Sequence, residues 1–412
     1  MKRISLLLSL AAVLFVITSC KKDSKKPNPD KGISLSLNAT EQQQAAGDNV
    51  FTFNLFKTVA AGSTDGSNLF VSPLSVSMAL GMTANGANGQ TLTDMRSTLG
   101  FNDFTEDQVN SYYNKLVTQL PQLDPNTTLK IANSIWYDKK FNVLPQFIKT
   151  DSTYFNAKVQ SLDFAAPASV NTINDWVSSQ TNGKITKLVK EISDDEVMFL
   201  VNAIYFKSVW KSKFDPAKTQ KMPFYTDGTH SVQVDFMQDE ISCNGYSDDN
   251  VRLIELPYSN DRYSMVIAIP NGNKTLADLM PTLNSDNWNS WMSKLSPTTQ
   301  SLAIPKFKFT YAIELNDALT TLGMGNAFTK QADFTRINAA GNLLITKVMH
   351  KAYVAVDESG TEAAAATSVG IGTTSLPLQI PVNRPFLFVI REMKTGLILF
   401  AGTVNDPTQS GL

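Results

Sequence analysis

The spacing of apolar positions changes along the chain and separates a helical first third from a mixed remainder. Residues 49–59 and 74–84 carry apolar side chains at helical intervals, so each stretch predicts a helix with one buried face. Pro73 stands where the second would begin, a position at which its missing N–H costs no hydrogen bond. From residue 129 onward, short runs rich in β-branched and aromatic residues (129–136, 197–206, 231–237, 251–256 and 263–269) predict strands interspersed with helices. Near the C-terminus, apolar runs at 386–390 and 397–400 flank Lys394-Thr395-Gly396 and predict a buried hairpin whose turn glycine takes a positive φ. The class is α+β, and neither an internal repeat nor a linker divides residues 36–412.

The amino-terminal end follows a different logic. Lys2 and Arg3 precede an apolar run at 4–17 that is too short for a membrane span and has the flanks of a signal peptide. It ends Ile17-Thr18-Ser19-Cys20, which resembles the lipobox of bacterial lipoproteins. That resemblance implies a signal peptide over 1–19, a lipid on Cys20 and attachment to a membrane. Residues 20–35, rich in Lys, Pro, Asp, Asn and Ser, are expected to form a disordered tether ahead of a domain at 36–412. Lys21-Lys22-Asp23 also resembles surface-export signals, so the expected location is the outer membrane or cell surface.

Composition narrows the chemistry. Lys plus Arg total 36 against 37 Asp plus Glu, which leaves no field to draw the chain onto nucleic acid. Cys20 and Cys243 are the two cysteines, so no internal disulfide is expected once Cys20 is lipidated. The two histidines, His230 and His350, lie far apart from each other and from Cys243, so neither a metal site nor a cofactor is expected. His230 follows Asp227-Gly228-Thr229 in an expected turn. No G-x-S-x-G elbow accompanies these histidines, and nothing points to a hydrolase. By length alone, 412 residues would suggest two or three domains. One stretch is unusual: residues 358–382 are long, small and polar within an otherwise compact pattern, as functional or disordered loops are.

Several separated segments, in order, resemble the serpin family. Asn68-Leu69-Phe70-Val71-Ser72-Pro73-Leu74-Ser75 resembles the start of its second helix, and Thr181-Asn182-Gly183-Lys184-Ile185 the turn after its sixth. The segment from Phe199 through Asn202 and Phe206 to Trp210 is similar to a strand of the family's central sheet, and Ile304-Pro305-Lys306-Phe307 to another. His350-Lys351-Ala352-Tyr353 leading to Glu358-Ser359-Gly360-Thr361-Glu362-Ala363-Ala364 resembles the strand that enters the reactive-centre loop. Asn383-Arg384-Pro385-Phe386 and Phe400-Ala401-Gly402 to Asn405-Asp406-Pro407 resemble the C-terminal signature. Membership implies one domain in place of two or three, with three β-sheets, eight or nine helices and an exposed loop at 358–382. It implies a suicide-type protease inhibitor and not an enzyme.

By that resemblance Glu358, Gly360, Thr361, Glu362 and Ala363, Ala364, Ala365 and Ala366 form the hinge. Ser72, Ser75, Asn202 and His350 would hold the sheet closed, Trp210 would mark its top, and Lys306 would pair with Glu358 at the surface. The residues themselves suit insertion as a strand: Thr361, Ala363, Ala365, Thr367, Val369, Ile371 and Thr373 would share one face, none is charged or large, and Glu362 would face solvent. Composition alone would also allow Ala363 to Ala366 to be a helix-prone linker.

Asn383 lies 23 positions after Gly360, a spacing that resembles inhibitory members and puts the bait bond at Thr374-Ser375. Threonine before the cut suits an elastase-like pocket, with subtilisin-like enzymes an alternative. A papain-like cysteine protease would read Ile371 and cut after Gly372. The partners expected are therefore a target protease and, through the lipid, a membrane; the protein itself is expected to be monomeric. A carrier or chaperone of the same fold is the alternative.

Overall fold

Helix starts are written into the local sequence. Asn38 opens α1 (Ala39–Gly62): its side-chain oxygen accepts from the Glu41 N–H while the Glu41 carboxylate accepts from the Asn38 N–H. Ser72 caps α2 (Pro73–Asn85) with proline in the first turn, and Thr105 and Gln108 form the same reciprocal box on α4 (Glu106–Gln119). The computed structural model describes residues 32–63, 65–194, 196–362 and 379–411. The other helices are α3 (Gly89–Leu99), α5 (Pro145–Tyr154), α6 (Ala168–Gln180), α7 (Leu276–Leu279), α8 (Ser285–Lys294) and α9 (Asn316–Leu319). The periodicity at 49–59 captures only the second half of α1, because residues 42–46 are glutamine and alanine and carry little apolar signal.

Fifteen strands among the described residues form two hydrogen-bonded sheets. The nine-stranded one runs β1 (Leu69–Val71), β15 (Ile398–Val404), β14 (Phe386–Glu392), β8 (Tyr263–Pro270), β7 (Val251–Pro257), β6 (Ser231–Ser247), β9 (Ser296–Pro305) and β13 (Ile380–Pro381), with β5 (Gln220–Tyr225) also on β6. It joins two of the three expected sheets, because the 17-residue β6 pairs with β5 at one end and β7 at the other. The predicted C-terminal hairpin is β14 and β15, with Gly396 at φ +74°.

The six-stranded sheet runs β10 (Phe307–Glu314), β11 (Met349–Asp357), β12 (Gly360–Thr361), β4 (Met198–Val209), β2 (Thr128–Asp138) and β3 (Lys158–Leu162). The segment 304–307, expected inside the central sheet, is instead the junction at which β9 ends at Pro305 and β10 begins at Phe307.

Helix α2 packs against β4 of one sheet and β15 of the other. Aromatic rings fill the space where the sheets meet: Phe70 stacks on Phe400 at 5.1 Å and meets Phe309 edge-on at 6.4 Å. Behind α2, the buried Asp48 carboxylate accepts from Ser77, Tyr112 and Tyr113, and burial lifts its pKa to about 6 despite those donors. Residues ahead of 36 already pack on the domain, since the Ile33 N–H donates to the Gln122 carbonyl and Leu35 is 1% exposed.

Candidate functional site: the hinge between β11 and β4

At its C-terminal end β11 turns through Glu358 and Ser359 and comes back as β12. Asp357 pairs with Gly360 and Val356 with Thr361, while on the other side Gly360 faces Val209 and Thr361 faces Ser208. Gly360 is required here. Its φ is +154°, and a Cβ would lie 2.0 Å from the Ser208 carbonyl oxygen, so only the bare backbone fits against β4. Thr361 is buried, its hydroxyl 2.5 Å from the Tyr258 hydroxyl. Tyr258 stacks on Trp210 at 4.6 Å, and the Trp210 indole N–H donates to the Asp357 carbonyl. The Trp210 backbone N–H also donates to the Ser359 carbonyl, so this residue is tied to the turn at two points.

Glu358 is fixed below this turn. Lys306 Nζ lies 3.0 and 2.9 Å from its two carboxylate oxygens, and the Thr219 hydroxyl donates to Oε1 at 2.7 Å. The expected pair is therefore present but is not a surface pair, because the Glu358 side chain is only 6% exposed. Burial pushes its pKa up, yet the bonds from Thr219 and Lys306 leave it below the usual carboxylate range. Removing Lys306 would strand a desolvated carboxylate, a larger penalty than loss of an exposed ion pair.

Beyond Thr361, among the described residues, β4 and β11 exchange no ladder hydrogen bonds with each other. A cavity of about 480 Å³ lies between their lower halves, with Ser75, Asn202 and His350 on its wall. Ser72 and His350 meet: the Ser72 N–H donates to His350 Nε2 at 3.1 Å, and the Ser72 hydroxyl donates to the Leu399 carbonyl and accepts from the Ser75 N–H. Asn202 does not join them. Its amide donates to Asn133 Oδ1 at 2.6 Å, and its own buried Oδ1 has no hydrogen-bond partner. Burial lowers the His350 pKa to about 4, so the ring is neutral at pH 7.

In the docked hinge, ahead of any insertion, the Glu362 side chain is 9% exposed and pairs with Lys184, on the turn after α6, at 3.3 Å. Thr219, Tyr258 and Asn133 complete the site and carry no local sequence signal, since their roles exist only once distant strands meet; Lys184 belongs to the turn Thr181-Asn182-Gly183-Lys184-Ile185. Ala363, Ala364, Ala365, Ala366, Thr374, Ser375 and Cys20 lie outside the described residues. His230 occupies an exposed turn, its Nδ1 2.7 Å from Asp227 Oδ2, and Cys243 is buried in β6 with its thiol pushed up to about 11 by burial.

His350 and Asp48 pull stability in opposite directions with pH. His350 is harder to protonate folded than unfolded, so its contribution is lost as pH falls from about 6.5 toward 4; Asp48 is easier to protonate folded, so its contribution grows as pH falls through about 6. Between pH 7.5 and 5 the His350 loss amounts to about 2 kcal/mol and the Asp48 gain to about 1 kcal/mol, so they partly offset. The variant His350→Gln should therefore be stabilised by acidification to pH 5 relative to the parent by about 2 kcal/mol, read from denaturation midpoints at both pH values. Parallel shifts in the two proteins would show that His350 does not titrate this way.

The family model described as Serpin (serine protease inhibitor) matches residues 46–407. Serpin A3-3 of Bos taurus is 34% identical over 373 residues, covering 89% of this chain and 90% of that protein. Among solved structures, the native state of the thermophilic serpin tengpin superposes with a TM-score of 0.80 at 32% identity, covering 91% of this chain and 96% of that one. Human thyroxine-binding globulin complexed with thyroxine superposes with a TM-score of 0.82 at 30% identity, covering 90% of this chain and 100% of that one. With the hinge strand, its glycine and the Ser72–His350 contact in place, the chain belongs to the serpin family.

Proposed function

We propose that this serpin traps a protease by a cleavage-driven strand insertion. The protease nucleophile attacks the Thr374 carbonyl, the Ser375 amine leaves, and the segment still acylated through Thr374 enters between β4 and β11. The observation that carries this reading is β12: Gly360 and Thr361 already occupy the first two rungs of that position, paired on both sides. The ladder groups of β4 and β11 below them are what a further strand would satisfy. About fifteen residues at ~3.3 Å each would carry the acylated end roughly 50 Å, far enough to distort a protease held against the sheet's edge.

The small, uncharged face of the loop favours this reading over a carrier of the thyroxine-binding kind. Threonine at the bait bond favours an elastase-like or subtilisin-like target, with a papain-like enzyme cutting after Gly372 as the variant of the same reading. The chain acts as a consumed substrate and not as a catalyst. Its lipobox-like Ile17-Thr18-Ser19-Cys20 supports display as an exported lipoprotein at the outer membrane or cell surface, held by a lipid on Cys20.

Thr361→Arg should abolish trapping and leave a loop that is merely cut, because a guanidinium would have to displace the Tyr258 contact inside the sheet. A variant that still forms covalent complex would remove strand insertion as the mechanism. The direct test mixes the purified protein with an elastase-type and a papain-type protease, followed by denaturing gels and mass spectrometry. A complex stable to denaturation with the loop cut after Thr374 is expected with the first. Cleavage without complex by both would leave the fold without this activity.

A further inference from the structure

Thr361 is fully docked as a strand residue, yet the residue after it is not in strand conformation. Glu362 has φ +54°, a left-handed value unusual for a residue with a Cβ, although its N–H still donates to the Ala355 carbonyl at 2.6 Å. Continuation of β12 would require φ near −120°, so the strand stops at the residue whose side chain carries the first charge. That side chain is nearly buried, and one of its oxygens, Oε2, is buried without a hydrogen-bond partner. Lys184 reaches the other oxygen at 3.3 Å while lying over the Tyr353 ring at 5.1 Å. Tyr205 hydrogen-bonds Glu362 and Asn182; burial pushes its phenol up to about 12, and the bond to Glu362 adds to the shift.

Lys184 is itself held firmly. The turn after α6 uses Asn182 at φ +50° and Gly183 at φ +76°; the Gly183 N–H donates to the Ser178 carbonyl and the Ile185 N–H to the Thr181 hydroxyl, with Ile185 buried just beyond. Lys130 fixes Asn182 from β2. The cation is thus presented from a separate element to a carboxylate whose other neighbour is the Tyr205 phenol, a hydrogen-bonding group without charge.

We infer that Lys184 is a positioning residue for the trap: it holds the hinge docked at two residues by neutralising the half-desolvated Glu362. Without the cation the nearly buried carboxylate keeps the Tyr205 phenol but loses the charge that neutralises it, and the direct relief is for Glu362 to swing out and draw Thr361 with it. The inference rests on the trapping reading for its consequence, which is that the docked hinge shortens the loop a protease meets. The docking itself is independent of any protease.

The test uses the full chain and the variants Lys184→Met, Lys184→Arg and the double variant Lys184→Met with Glu362→Gln. Hydrogen exchange by mass spectrometry reads the peptide containing the Thr361 and Glu362 amides, and the rate of loop cleavage is followed alongside. Lys184→Met should raise exchange in that peptide about tenfold and speed loop cleavage. Lys184→Arg and the double variant should both return to the parent's protection, the first by restoring the cation and the second by removing the charge that needs it. Parent-like protection in Lys184→Met, or a double variant as fast as Lys184→Met, would overturn the inference. Because exchange needs no protease, a chain that traps nothing but shows this pattern would sink the proposed function and leave the Lys184 role standing.

Discussion

Every strand in the six-stranded sheet except one pair is joined to its neighbour by a run of backbone hydrogen bonds. The exception is the line between β11 and β4, bridged at its top by Gly360 and Thr361. Backbone N–H and C=O groups removed from water need partners, so this line constrains everything near it. It explains why the turn at 358–359 is tied so firmly, through the Lys306 and Thr219 bonds to Glu358 and the Trp210 bond to Asp357. It also explains why Gly360 has no substitute: the bridging strand must come within contact of the Ser208 carbonyl.

The polar groups under that line fit the same constraint. Beneath the boundary α2 and its cap present Ser75 and Ser72, β11 presents a neutral His350 and β4 presents an Asn202 oxygen without a partner. Each is a group that gains from a new hydrogen-bonding neighbour more than an apolar side chain would, and loses less when the strands on either side separate. A sheet that parts along a polar seam keeps its apolar layers intact on both sides.

Much of the architecture was legible because it rests on local periodicity. Helix α2 with Ser72 and Pro73, the strands β6, β7 and β8, and the C-terminal hairpin with Gly396 all follow from spacing and turn chemistry. The short β12 could not be read that way, since a two-residue strand has no periodicity and exists only because two longer strands flank it. The same holds for the site. Glu358 and Lys306 were paired by resemblance, but the burial of Glu358 depends on Thr219 from another loop, 139 positions away. Asn202 was grouped with His350, and the structure turns its amide toward Asn133 because those two residues sit opposite in the β2–β4 ladder. Tyr258 left no sequence trace, its function being to meet Thr361 across 103 positions.

The change of backbone conformation after Thr361 ties the hinge to Lys184. Thr361, still in strand conformation, meets Tyr258 on the buried face, while Glu362, at φ +54°, ends the strand and pairs with Lys184 on the turn after α6. A charge at position 361 could not enter, and an uncharged residue at 362 would give Lys184 nothing to hold. The sequence Thr361-Glu362 therefore combines a residue that pairs on both sides within the sheet with one that leaves strand conformation and carries the charge Lys184 meets. Glu358 anchors the upstream side through Lys306 and Glu362 the downstream side through Lys184, so the five residues from 358 to 362 begin and end on ion pairs drawn from separate elements. Only the downstream pair sits at the point where strand conformation ends, so only it bears on how far β12 extends.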